Sequence, residues 1–335
     1  MANSQTNIIS SHRFTTINFA VVPELLGLSH RMPFKNGQVK IELPSRDHLP
    51  KQITNKSVIS SRDSVIRISS YRQKNGLKIP LSLWIEYVQV QVSLGQTITL
   101  PKQVLAGPPN QLDFLSPQKR LRLKQIMKSH EELANEAFDL WIRILRWKSN
   151  DGSIAMPQLH GFDAARSSHL IDCATKQPFW AGDFTLPIYL ANPITLSIWH
   201  DVQETLKLGK KPPIYIDSMF DGIEQFRIGN FQQSVVYLAV ASEAFMRSRV
   251  MQSLPKGLTT ALIKYIDEVP IRQVLERFFP DTLDAAQNNV LKSIKSRLHK
   301  LFDDRNTILH SGLKEDLTSG DCQQYIEATK NLFTI

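Results

Sequence analysis

The chain holds 335 residues, 42% of them hydrophobic and 21% charged, an ordinary globular composition long enough for one large or two ordinary domains. Its net charge of +9 decides nothing alone, but two cysteines, Cys173 and Cys322, in no metal-ligand spacing exclude a disulfide scaffold and read as reduced, partly buried thiols. No window approaches the roughly 18 to 20 apolar residues of a membrane span, and MANSQTNIISSHRF lacks the charged start and apolar run of a secretory signal, so a soluble cytoplasmic protein with no membrane partner is expected.

Strands are predicted over 37–42 (GQVKIE), 64–70 and 80–100, the last because Val88, Val90 and Val92 alternate with Gln89 and Gln91, which buries one face of the sheet. Ser116 then supplies an N-cap and Pro117 the first helical position. Leu123, Ile126, Met127, Leu133, Ala137, Phe138, Trp141, Ile144 and Leu145 recur at helical spacing, predicting a helix of about 30 residues, roughly 45 Å long. It is basic near one end (Lys119, Arg120, Arg122, Lys124, Lys128) and near the other (Arg143, Arg146, Lys148). These cations can meet phosphates or form the wet side of an amphipathic helix, and Glu131, Glu132, Glu136 and Asp139 between them favour the wet side.

Residues 149–195 carry turn signals and a strand around Phe184 to Leu190, before a short helix near Ile198 to Leu208. His160, His169 and His200 hold no helical or strand spacing, so they read as surface or core histidines rather than metal ligands. All five tryptophans (Trp84, Trp141, Trp147, Trp180, Trp199) lie in this half. Most are expected in its core, with one or two available to stack on a base.

The stretch Lys210 to Pro213 reads as a linker. Beyond it, residues 213–335 carry 14 Lys and Arg against 15 Asp and Glu, so the basic excess belongs to residues 1–212, where it allows contact with nucleic acid. From Pro213 the pattern is consistently helical. Gly229 separates two runs, the second placing Val235, Val236, Ala239, Phe245, Met246 and Val250 on one stripe together with Glu243. Helices are predicted over 257–278 and 286–310, and a last one from Ser319 buries Cys322, Tyr325, Ile326, Leu332 and Phe333. The fold class is therefore α+β in two domains: a mixed β/α recognition or sensor domain over 1–212 and an all-α helical bundle over 213–335.

In the helix ending at residue 310, Leu291, Ile294, Leu298, Leu301, Phe302, Ile308 and Leu309 form the apolar stripe, and Arg305 stands where another apolar residue is expected. A cation there must be paired, or face a cleft or partner chain, because an unpaired buried charge costs several kcal/mol. Asn306 and His310 share a face, and Gly312 is a good stop. The partial negative charge of the helix C-terminus suits His310 to proton transfer near neutral pH. Arg305 and His310 diverge by about 140° on an ideal helix, so two copies of the chain, paired symmetrically along this face, are the natural way to build one cleft from both residues.

The segments Phe226-Arg-Ile-Gly-Asn-Phe231 and Ala239 to Phe245 (AVASEAF), with Asp304-Arg-Asn-Thr-Ile-Leu-His-Ser-Gly312, resemble the opening helices and the R-x4-H motif of the HEPN domain family, over roughly residues 213–335. That resemblance implies a metal-independent endoribonuclease acting as a homodimer on RNA. The RNA 2′-OH attacks the adjacent phosphate, leaving a 2′,3′-cyclic phosphate and a 5′-OH, with no cofactor. His310 would serve as general acid or base, Arg305 would stabilise charge on phosphoryl oxygens, Asn306 would orient one of them, and Glu243 would hold Arg305. The biological setting implied is bacterial defence or toxin-type growth control. The tyrosine that some members carry two residues beyond the histidine is replaced by Gly312, so control by nucleotide transfer onto it is not expected. The alternative is a non-catalytic dimerisation and binding module, with Arg305 paired to Asp303 or Asp304. No P-loop, G-x-S-x-G, H-E-x-x-H or G-x-G-x-x-G competes.

Overall fold

Strand β1 (Asn3–Thr15) begins a β-rich region and is followed by β2 (Ala20–Val21), the hairpin β3 (Ser29–Phe34) and β4 (Gly37–Glu42), then β5 (Ile66–Lys74), β6 (Leu77–Ile85) and β7 (Tyr87–Pro101). The structure, a computed structural model, describes residues 3–16, 18–48, 66–74, 77–101, 115–154, 169–171, 178–181, 192–255 and 260–335. One antiparallel sheet runs β1-β7-β4-β3 and a second runs β2-β6-β5. The alternation read in the sequence is the inner face of β7, with Val88, Val90 and Val92 fully buried and Gln89 exposed.

What reads as one strand over 80–100 is two. The chain changes sheets at Glu86, where the Thr16 N–H donates to the Glu86 carbonyl (2.8 Å) and the Ile85 N–H to that of Phe19 (2.8 Å).

The long predicted helix is α1 (Pro117–Ser149), capped by the Ser116 hydroxyl, which accepts from the Lys119 N–H. Ala134, Ala137, Trp141, Ile144 and Leu145 seat it in the core of the first sheet, whereas Met127 is exposed, off the buried stripe. Beyond the short pair β8 (His169–Ile171) and β9 (Pro178–Ala181), helix α2 (Leu196–Lys207) completes this core through Trp199, Val202 and Leu206. The strand predicted around Phe184 to Leu190, His160, Cys173 and the side chains of His169 and Trp180 lie outside the described residues. Among the described residues no group of His, Cys, Asp and Glu suits a metal ion, and no helix is long and apolar enough to cross a membrane.

The chain divides into two units, Met1–Lys211 and Pro212–Ile335. The second is a helical bundle: α3 (Ile214–Arg227), α4 (Phe231–Ser253), α5 (Thr260–Glu268), the short α6 (Ile271–Gln273) running into a π-helical turn (Val274–Phe278), α7 (Ala285–Ser311) and α8 (Ser319–Leu332). Gly229, at φ +79°, takes the left-handed conformation that ends α3 and lets α4 start at once. The single helix expected over 257–278 is broken at Pro270, which has no N–H to continue the ladder. Val235, Leu238, Leu298, Leu301, Phe302, Cys322 and Tyr325 lie at the centre of the bundle. Leu309, expected on the apolar stripe of α7, is instead 57% exposed in its last turn.

Candidate active site

Glu243 sits on α4 and Arg305 on α7, two helices packed through Leu238, Ala241, Leu298 and Phe302. Glu243 Oε1 accepts from Arg247 Nε (2.9 Å) and Nη2 (2.8 Å), and Oε2 lies 3.5 Å from Arg305 Nη2. Arg247 in turn donates to the carbonyls of Ile266 (3.1 Å) and Val269 (2.7 Å), groups that the end of α5 leaves without helical partners. One carboxylate thus carries two guanidiniums, and the first is anchored to the backbone behind it.

Arg305 also donates from Nη1 to Asn306 Oδ1 at 3.0 Å, while its Nε is buried and has no partner among the described residues. The Asn306 carbonyl is used in holding the arginine, which leaves its amide N–H groups to donate outward. The neighbouring aspartates are engaged elsewhere. Asp303 pairs with Arg272, and the buried Asp304 accepts from the Tyr325 hydroxyl and lies 3.4 Å from Lys314 Nζ. Burial, then the Asp304 carboxylate, pushes the Tyr325 phenol well up, so it stays a donor.

His310 is exposed in the last turn of α7, which ends in Gly312 at φ +77°. Among the described residues it makes no hydrogen bond or ion pair with Arg305, Asn306 or Glu243, as expected of positions about 140° apart on one helix. The turn that follows is fixed from α4: Gln232 Nε2 donates to the Lys314 carbonyl (2.9 Å) and its Oε1 accepts the Lys314 N–H (3.2 Å).

No protein family, curated protein or solved structure matches this chain.

Glu243, Arg305 and Asn306 therefore come together and His310 stands apart within one chain. Arg247 was missed in the sequence, although Glu243 and Arg247 lie four residues apart, the spacing at which a helix pairs side chains. Gln232 carried no signal, because its role depends on a turn brought to it from the far end of α7. A fixed guanidinium beside an amide donor can bind and neutralise a phosphoryl group, and an exposed imidazole can move a proton.

Proposed function

We propose that the chain is a metal-independent endoribonuclease of the HEPN type, acting as a homodimer on RNA. The observation that carries this reading is the Arg305 guanidinium held between Glu243 and Asn306, with the Asp303 and Asp304 carboxylates taken by other groups. A structural arginine at this point of α7 has two nearer carboxylates available in sequence and uses neither.

Pairing two copies along α7 brings a second Arg305 and a second His310 to one cleft. Leu309 (57% exposed) and Leu313 (53% exposed), on either side of His310 in sequence, supply apolar surface for that contact. In the reaction, one imidazole takes the proton of the RNA 2′-OH as its oxygen bonds to phosphorus. The bond from phosphorus to the 5′-oxygen breaks, and the leaving oxygen takes a proton from the second imidazole. Arg305 offsets charge on the non-bridging oxygens and the Asn306 amide donates to one of them. The cellular role that fits is bacterial defence or toxin-type growth control in the cytoplasm.

The test is cleavage of mixed RNA in EDTA by the wild type and His310→Ala, with the ends identified. Cutting that leaves cyclic-phosphate ends and is lost in the variant supports the enzyme; equal cutting by both rejects His310 as its acid or base. One observation favours a second reading, a non-catalytic binding module: Arg305, through Glu243 and Arg247, ties together α4, α5 and α7. On that reading no cutting is seen, and Arg305 substitutions act on stability alone.

A further inference from the structure

The N-terminal unit carries the basic excess of the chain, and the first half of α1 concentrates it. From Pro117 to His130 there are five cations, Lys119, Arg120, Arg122, Lys124 and Lys128, and no carboxylate before Glu131. The acidic residues of the helix, Glu131, Glu132, Glu136 and Asp139, all follow His130. Arg122, Lys124 and Lys128 are exposed and, among the described residues, have no carboxylate partner.

Two faces of this half-helix differ in chemistry. Arg120, Lys124 and Lys128 follow at four-residue steps, about 6 Å apart along one side. Arg122, Gln125 and Ser129 follow at three- and four-residue steps along another. With Gln96 and Thr97 of β7 and the buried Ile126, they line a cleft of about 500 Å³. The cleft opens where the pairing of β1 with β7 shifts register between Asn7 and Ile9, opposite Gly95 at φ +64°. A bulge of this kind bends the strand and re-aims its side chains. Among the described residues the lining is thus one guanidinium, two amides and two hydroxyls, with no carboxylate.

We infer that this cleft and the cationic rows beside it bind the phosphodiester backbone of a single-stranded nucleic acid, which is RNA if the function proposed above holds. The Arg122 guanidinium and the side-chain amides donate to phosphate oxygens, the Ser129 hydroxyl, whose proton goes to the Gln125 carbonyl (3.2 Å), lines the wall beside them, and the flanking lysines neutralise successive phosphates. A lipid surface fits less well. The apolar side of α1 is turned into the core, and the exposed Leu121 and Met127 are about 120° apart around the helix, so no continuous apolar face remains to enter a bilayer.

The test uses the full-length chain carrying His310→Ala, so that RNA is not consumed, and a fluorescent uridine 20-mer whose anisotropy is followed in EDTA across a salt series. Replacing Arg122, Lys124 and Lys128 together by Gln is expected to weaken binding about 10- to 100-fold at low salt. The slope of log affinity against log salt should become shallower by about 2, since each lost contact with a single strand removes about 0.7. Gln125→Ala with Ser129→Ala should weaken binding several-fold with the slope unchanged. A thymidine 20-mer should respond alike, because the cleft reads backbone. All substitutions are on exposed helix positions, and an unchanged thermal melt verifies the fold.

Triple-variant binding equal to its parent, or no binding by the parent at low salt, overturns the inference even if the wild type cuts RNA. So does a triple variant that loses adhesion to phosphatidylserine vesicles but keeps its affinity for RNA. Conversely, charge-dependent binding in a protein that never cuts RNA leaves this inference standing and removes only the nuclease.

Discussion

Glu243 of α4 lies with Oε2 3.5 Å from Nη2 of Arg305 on α7, while its other oxygen is bound twice by Arg247. All three side chains are about a fifth to a quarter exposed, so solvent screens them only in part. Glu243→Gln leaves two guanidiniums facing a neutral amide, and should cost about 1–3 kcal/mol of stability in urea. On the nuclease reading it also lowers RNA cleavage about tenfold or more, because Arg305 is no longer held. Unchanged cleavage and unchanged stability would remove Glu243 from the site.

Arg305 itself separates the two functional readings. Its Nε is buried without a partner among the described residues, so Arg305→Met removes an unsatisfied donor along with the 3.5 Å ion pair to Glu243 and the hydrogen bond to the exposed Asn306, and retains the aliphatic bulk. Stability should stay within about 1 kcal/mol of wild type while cleavage falls to background. A loss above about 2 kcal/mol, in a protein with no cleavage to lose, would instead assign Arg305 to holding α4 against α7.

His30 should make the first unit acid-sensitive. It is buried, stacked on Trp199 at 3.6 Å, and accepts the Trp141 indole N–H at Nδ1 (2.8 Å), so its proton sits on Nε2, which donates to the Trp199 carbonyl (3.0 Å). Burial lowers its pKa from 6.5 to about 4. The folded state therefore keeps the ring neutral where the unfolded state already takes a proton. The contribution is complete above about pH 6.5, declines by about 1.4 kcal/mol per pH unit below it, and has lost about 3 kcal/mol near pH 4. Tryptophan fluorescence reads this unit alone, because every tryptophan precedes residue 212. Urea titrations at pH 7.5 and 4.5 should differ by about 2–3 kcal/mol; equal midpoints and slopes would mean that His30 is protonated in the fold.

Much of the architecture was legible, and the failures have physical causes. The valines of β7, the Ser116-Pro117 start of α1 and the two glycine stops are local signals that tertiary structure had no reason to override. Strand β1 was missed because its inward face is partly polar: Ser10 is shared by His12 and His130, at 2.8 Å each, between the Phe14–Phe138 stack and Ile8 packed against Leu115. A hydroxyl hydrogen-bonded to one nitrogen of each of two imidazoles can be buried among apolar groups, but reads as a loop in a hydrophobicity pattern. At the site, Arg305 was visible as a break in a stripe, whereas its support by Arg247 through Glu243 depends on how α4, α5 and α7 meet.

Gly222 tests how closely the bundle is packed around that site. A Cβ there would lie 2.9 Å from Leu238 Cγ and 3.3 Å from its backbone nitrogen, and Leu238 is fully buried on α4. The same approach lets the Ser234 hydroxyl donate to the Gly222 carbonyl at 2.8 Å. In an open helix Gly→Ala gains about 1 kcal/mol, but forcing α3 off α4 costs about 1–3 kcal/mol, so Gly222→Ala should be net destabilising by about 1 kcal/mol. Leu238→Ala alone should cost about 2–5 kcal/mol through the cavity it leaves. With that cavity present, adding Gly222→Ala should cost less than it does alone or stabilise, because the side-chain clash is gone and only the 3.3 Å approach to the backbone nitrogen opposes the helix propensity. A double variant whose loss equals the sum of the two single losses would mean that α3 and α4 give way without Leu238, and that the close contact at Gly222 does not set their spacing.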